Sequence, residues 1–130
     1  MSRFFLAVLI GWWGLGCIAD EEALTLDELM TTFGWDFDAT DIRTEKVGDG
    51  LFVLFGVGGN IAVSVGSDGV MIVDDQFPEM MNKIYDAVAT LPGAKQDSHK
   101  YPQIDYAINS HWHFDHAEGN LALGPTGTQI

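Results

Sequence analysis

Six consecutive residues carry most of the chemistry this chain can offer: His111-Trp112-His113-Phe114-Asp115-His116. Three of the four histidines fall in this stretch, with a carboxylate beside the last of them. Neutral imidazole nitrogens and carboxylate oxygens are the donors that a borderline divalent ion such as zinc prefers. His111, His113, Asp115 and His116 are therefore the candidate metal ligands. The fourth histidine, His99, lies in a polar connection and is set aside as a ligand. The alternative is a histidine-rich loop that packs, or takes up metal adventitiously.

Such a cluster needs a scaffold that lets close-spaced side chains converge. Tyr106-Ala107-Ile108-Asn109 reads as the end of a buried strand over residues 104–109, and Gly119 and Asn120 do not continue it. The cluster thus falls on the loop leaving the C-terminal end of a strand, where α/β sheets place their chemistry. A continuous strand would send His111 and His113 to one face and His116 to the other.

Upstream, short apolar runs alternate with turns. Residues 42–47, 51–57, 61–65 and 70–73 read as strands, separated by Gly48-Asp49-Gly50, Gly58-Gly59-Asn60 and Gly66-Ser67-Asp68-Gly69. Gly and Asp at these points are hairpin signals. The glycines of Gly56-Val57-Gly58-Gly59 read as a turn and not as a phosphate cradle, because no Lys-Ser/Thr follows and no helix opens there. The fourth strand ends in Asp74-Asp75. Pro78 then opens a helix. Met81, Ile84, Val88 and Leu91 share one face of it, and Pro92-Gly93 ends it. A helix between two apolar strands predicts a βαβ-like crossover within a mixed sheet. Nearer the start, residues 24–33 read as a short helix, with Thr25 and Glu28 as a capping box and Gly34 as its stop. Residues 35–41 read as an acidic loop pinned by Trp35 and Phe37, with the rim of a substrate pocket as the alternative.

Composition bounds the rest. The chain has 130 residues, enough for one small domain, and 47% apolar content supports a core. A net charge of −13 argues against nucleic acid and against anionic membrane surfaces. Residues 1–19 differ in character from the remainder of the chain. Arg3 is their only charge, Phe4 to Ile10 is unbroken apolar sequence, and Gly14, Gly16, Cys17 and Ala19 precede Asp20-Glu21-Glu22. That pattern predicts an export signal cleaved after Ala19, and so a periplasmic or secreted protein. A lipoprotein signal acylated at Cys17 is the second reading, although Gly14 stands where such signals usually carry Leu. An uncleaved anchor is the third; the short apolar core argues against it. Membrane contact is expected only through this segment. No cysteine follows Cys17, so the remaining chain has no disulfide and no thiolate ligand.

The spacing His-x-His-x-Asp-His resembles the metal-binding signature of the metallo-β-lactamase-fold hydrolases and matches it at all four ligand positions. Short hairpins, an apolar strand ending in acid, a helix and the strand into the motif resemble that superfamily too, from about Ile42 to the last residue. The resemblance implies an α/β (α+β) fold: the N-terminal half of an αββα sandwich, a mixed sheet with hairpins under one main helix. It implies one or two zinc ions, with His111 and His113 on one and Asp115 and His116 on a second. Zinc lowers the pKa of its water from about 15.7 to about 7, which makes a nucleophile available at neutral pH. Asp115 is then also the catalytic residue, accepting a hydrogen bond from the attacking water. Asp74 or Asp75 would orient a ligand histidine, with a simple strand-end turn as an equal alternative. Trp112 and Phe114 would either wall the pocket or fix the loop by packing.

Two departures stand out. Glu118 occupies a place where the family commonly has glycine. The family's further ligands, a third histidine for the first metal and an acid and histidine beyond, have no counterpart up to Ile130. The chain thus reads as an export signal (1–19), a helix and acidic loop (20–41) and a partial domain (42–130). The expected function is zinc-dependent hydrolysis of a small molecule: an ester, thioester, lactam or phosphoester. The 130 residues alone are expected to bind zinc weakly, to turn over nothing measurable and to associate through an uncovered sheet face. The alternatives are a non-catalytic metal-binding accessory protein on the same fold, or a remnant without activity.

Overall fold

The computed structural model describes residues 23–97, 100 and 103–130. Residues 1–19, where the sequence predicts an export signal with Cys17, and His99 lie outside the described residues.

The chain opens with helix α1 (Leu26–Phe33). Thr25 caps it: its hydroxyl accepts the Glu28 amide at 3.3 Å while the Glu28 carboxylate accepts the Thr25 amide at 2.8 Å. Gly34, at φ 66°, closes it in the left-handed region that glycine tolerates. The helix buries no residue of its own. The loop after it is what docks. Trp35 and Phe37 pack on Phe77, with ring centroids 5.5 and 5.0 Å away. The Lys83 ammonium donates to the carbonyls of Phe37, Asp38 and Thr40 at 2.8–3.0 Å.

Strands β1 (Arg43–Gly48), β2 (Leu51–Phe55), β3 (Ile61–Gly66) and β4 (Gly69–Val73) follow as successive antiparallel hairpins. A 3-10 turn at Pro78–Met80 leads into α2 (Met81–Ala89), which crosses to β5 (Tyr106–Ile108). β5 lies parallel to β4, Met71 opposite Tyr106 and Val73 opposite Ile108. The result is an α+β fold on a five-stranded mixed sheet in the order β1-β2-β3-β4-β5. β5 is shorter than residues 104–109, because Asn109 has already left the ladder for the loop.

Period-two alternation sorts the sheet's faces. Leu54, Ile61, Val63 and Ile72 point to one side and are buried with Ile84 and Val88 of α2. The opposite side holds an apolar groove of about 220 Å³ between Val47, Val53, Ala62, Met71 and Val73. Leu51, Tyr106 and Ile108 are exposed. Among the described residues nothing covers that side. No described helix is long and apolar enough to cross a membrane.

The parallel register determines where the cluster begins. With Val73 opposite Ile108, Asp74 and Asn109 leave the sheet side by side, and the Asp74 amide donates to the Ile108 carbonyl at 2.8 Å. The cluster runs into the first of two short helices, α3 (Phe114–Ala117), and α4 (Asn120–Leu123) follows. The chain then returns to β5, where Gln129 forms a parallel bridge with Tyr106.

Candidate metal centre

The loop from Asn109 to His113 and the single turn of α3 bring the cluster together at the carboxyl ends of β4 and β5. Only its first half is loop. Asp115 and His116 sit on the helical turn, which points both side chains back over the loop. Nε2 of His111 lies 3.1 Å from Nδ1 of His113. Nε2 of His116 lies 3.4 Å from Oδ2 of Asp115. The His111 and His116 ring centroids are 4.1 Å apart, so the two pairs adjoin. All four predicted ligands are thus in one place. His111 and His113 are exposed, while Asp115 and His116 are half-buried.

These distances allow a test of whether zinc fits. Two donors about 2.0–2.1 Å from one tetrahedral zinc lie about 3.3 Å from each other. The nitrogen pair at 3.1 Å and the nitrogen–oxygen pair at 3.4 Å both match that spacing. A hydrogen bond shared between the rings would give the same separation for the first pair. Among the described residues no three His, Cys, Asp or Glu side chains form a group that could hold one ion. The arrangement is therefore two adjoining pairs of candidate donors, with no group of three among the described residues. The donor set fits zinc in kind and in spacing, and it is short in number.

The two acids after β4 take different roles. Asp74 faces the cluster, its Oδ2 at 2.8 Å from Nδ1 of His116. Burial pushes its carboxyl up, but hydrogen bonds from the Ser110 amide, His116 and the Ser110 hydroxyl outweigh that, and it stays below its ordinary value. Asp75 turns away and is fully buried. Burial raises its carboxyl to about 6, against the Asn109 amide that lowers it and with the Asp74 charge that adds to the rise. Its Oδ2 accepts Asn109 Nδ2 at 3.2 Å, while its Oδ1 has no hydrogen-bond partner among the described residues. Asn109 also donates to the His116 carbonyl at 3.1 Å and accepts from Asn120 at 2.7 Å. Asp75 thus anchors the loop backbone, and Asp74 alone of the two touches a ligand ring.

Close packing surrounds the cluster. A Cβ on Gly58 would stand 2.8 Å from Cβ of Asp115, and one on Gly59 would stand 2.5 Å from Cε1 of His116. The β2–β3 turn therefore lies directly against α3. A Cβ on Gly119 would stand 2.3 Å from the Asp75 carbonyl oxygen. Phe114 packs inward on Phe77 and Trp35, with centroids 5.9 and 6.2 Å away. Trp112 is 84% exposed and touches the His113 ring edge-on at 4.7 Å. Phe114 is thus a packing anchor and Trp112 is free to meet a ligand. The Glu118 amide donates to the Phe114 carbonyl at 3.1 Å, closing α3.

Sequence reasoning missed Ser110, Asn109 and the two glycines. Polar residues directly before the first histidine were the available signal for the first two. The glycines carried only a turn signal, since their contact with α3 joins segments far apart in the chain.

No protein-family model matches this chain, and no curated protein matches it.

Proposed function

We propose that this chain carries the zinc-binding part of a hydrolase with the metallo-β-lactamase-type αββα architecture. The observation that supports it is the pair of adjoining two-donor sites at the carboxyl ends of β4 and β5. On this reading His111 and His113 hold one ion, and Asp115 and His116 a second. When bound, zinc supplies an activated water at neutral pH and a Lewis acid for the scissile carbonyl or phosphoryl group. Asp74 orients His116. Asp115 accepts a hydrogen bond from the attacking water. Trp112 offers an apolar face to a small-molecule ester, thioester, lactam or phosphoester. Residues 1–19 add an export reading, in which the mature chain starts at Asp20 or at a lipidated Cys17. Mass spectrometry of exported protein that still begins at Met1 would refute it.

One observation favours a second reading. A catalytic zinc uses three protein ligands and an open position, and each pair here has two. A metal-binding accessory protein on the same fold would need no open position. The test is made on the intact protein. Its zinc content is measured, and it is assayed with a chromogenic β-lactam, a thioester and a phosphodiester, with and without chelator. The expected result is that His111→Ala and His113→Ala each lower zinc content and abolish chelator-sensitive hydrolysis together. Zinc loss in the variants with no turnover in the parent supports the accessory reading. Unchanged zinc content in both variants overturns both readings.

A further inference from the structure

Behind the four donors lies a second set of groups that determines which nitrogen each imidazole offers. Asp74 is buried and sits in the left-handed region at φ 67°. For a residue other than glycine this conformation is strained and persists only when its surroundings hold it. Here the bonds that hold it lead to the cluster. Oδ1 of Asp74 accepts the Ser110 amide at 2.6 Å. Oδ2 takes both the Ser110 hydroxyl at 2.8 Å and Nδ1 of His116 at 2.8 Å. Oγ of Ser110 lies in turn 2.9 Å from Nδ1 of His111.

Counting protons resolves the direction of each bond. A serine hydroxyl has one hydrogen, and a neutral imidazole has one N–H. If Ser110 gave its hydrogen to His111, two oxygens would face each other at 2.8 Å with no proton between them. Ser110 therefore donates to Asp74 and presents a lone pair to His111. Nδ1 of His111 must then carry the hydrogen. The same count places a hydrogen on Nδ1 of His116. His111 is left with a lone pair on Nε2, the atom it turns toward Nδ1 of His113. His113 turns Nδ1 to that lone pair and donates to it.

We propose that Ser110 is a positioning residue, one that relays Asp74 to His111 and locks His111 with its hydrogen on Nδ1 and its lone pair on Nε2. Its purpose rests on the metal-site reading above, but the locked tautomer is a property of the metal-free chain. A hydroxyl that merely fills space would not set it.

The experiment uses the metal-free intact protein at about pH 8, above the ordinary imidazole value of about 6.5. Long-range proton–nitrogen NMR distinguishes pyrrole-type from pyridine-type ring nitrogens. The expected spectrum shows pyrrole-type Nδ1 for both His111 and His116, and pyridine-type Nε2 for His111. In Ser110→Ala, His111 loses that preference while His116, still bonded to Asp74, keeps it and reports an intact fold. Ser110→Thr restores His111. Zinc affinity, read by competition with a chromogenic chelator, falls about tenfold or more in Ser110→Ala and recovers in Ser110→Thr. A hydrogen on Nε2 of His111 in the parent, or an unchanged His111 in Ser110→Ala, overturns the proposal. A parent with the expected tautomers that takes up no zinc leaves the relay standing and refutes the metal-site reading instead.

Discussion

Gly59 lies so close to His116 that a Cβ on it would stand 2.5 Å from Cε1 and 2.8 Å from both ring nitrogens. The imidazole has little room to retreat, because Asp74 holds Nδ1 at 2.8 Å. Gly59→Ala is therefore expected to break the bond to Asp74 or tilt the ring off Asp115. Zinc affinity should fall about tenfold or more, the usual loss when a ligand histidine loses its orienting partner. Stability should fall by about 1–3 kcal/mol, as for overpacking elsewhere. Chelator competition and urea unfolding measure the two effects. Parent-like affinity would place His116 outside the metal site.

Trp112 and Phe114 flank His113 and should separate cleanly. Phe114 reaches Phe77 and Trp35, which belong to or pack against the core. Phe114→Ala is expected to cost about 2–4 kcal/mol, toward the lower end for a large-to-small change because the ring is half-buried. Trp112, at 84% exposure, has almost no packing to lose. Trp112→Ala should stay within about 0.5 kcal/mol of the parent. Equal losses in urea unfolding would show that Trp112 packs in solution.

Local signals read well from the sequence, and contacts between distant segments did not. The Thr25–Glu28 box and Gly34 bounded α1 because capping involves neighbours three or four residues apart. The hairpins followed from turn residues, and α2 from the spacing of Met81, Ile84 and Val88. The four donors were legible because their types and order are unusual. Asp74 and Asp75 were indistinguishable in sequence, since both are acids at a strand end. What separates them is a left-handed φ at Asp74, a property of the folded turn and not of the residue type. Ser110 gains its role only because the β4–β5 register sets it beside Asp74, 36 positions away.

Asp75 makes a prediction with a definite sign. Its carboxyl is raised from 3.8 to about 6 in the folded chain. Below about pH 4 it is protonated in both states and contributes nothing. Between about 4 and 6 the unfolded chain releases the proton and the folded chain keeps it, so stability falls as pH rises. Above about 6 the loss is constant and amounts to about 3 kcal/mol at most. Asp75→Asn, which keeps an acceptor for Asn109, should lack that slope and be the more stable variant at neutral pH. Parallel pH profiles for the two proteins would show that Asp75 is not held protonated.

Asp105 carries the opposite sign and acts at the other end of β5. Its Oδ1 meets Lys95 at 2.6 Å and its Oδ2 accepts the Val70 amide at 2.9 Å. Its own amide donates to the Val70 carbonyl at 2.8 Å, so backbone and side chain together clasp the start of β4. Burial pushes the carboxyl up, but the bonds from Lys95 and Val70 and the Lys95 charge outweigh that, and it lies below its ordinary 3.8. A depressed acid stabilises the fold above its unfolded value, and the contribution is lost as pH falls through its folded one. Asp105→Asn is therefore expected to lower stability at neutral pH by about 1.5–3 kcal/mol, the range for a hydrogen bond to a charged group. The deficit should shrink below about pH 4, where the unfolded chain takes up the proton first, and vanish as the folded carboxylate is protonated at lower pH. Because β5 leads into the His111–His116 loop, loosening its register should, on the proposed metal-site reading, also weaken zinc binding at neutral pH, although Asp105 touches none of the four side chains. Urea unfolding across pH, with chelator competition at neutral pH, tests both parts. A deficit that persists undiminished in acid would show that the carboxylate's charge is not what clasps β5 to β4.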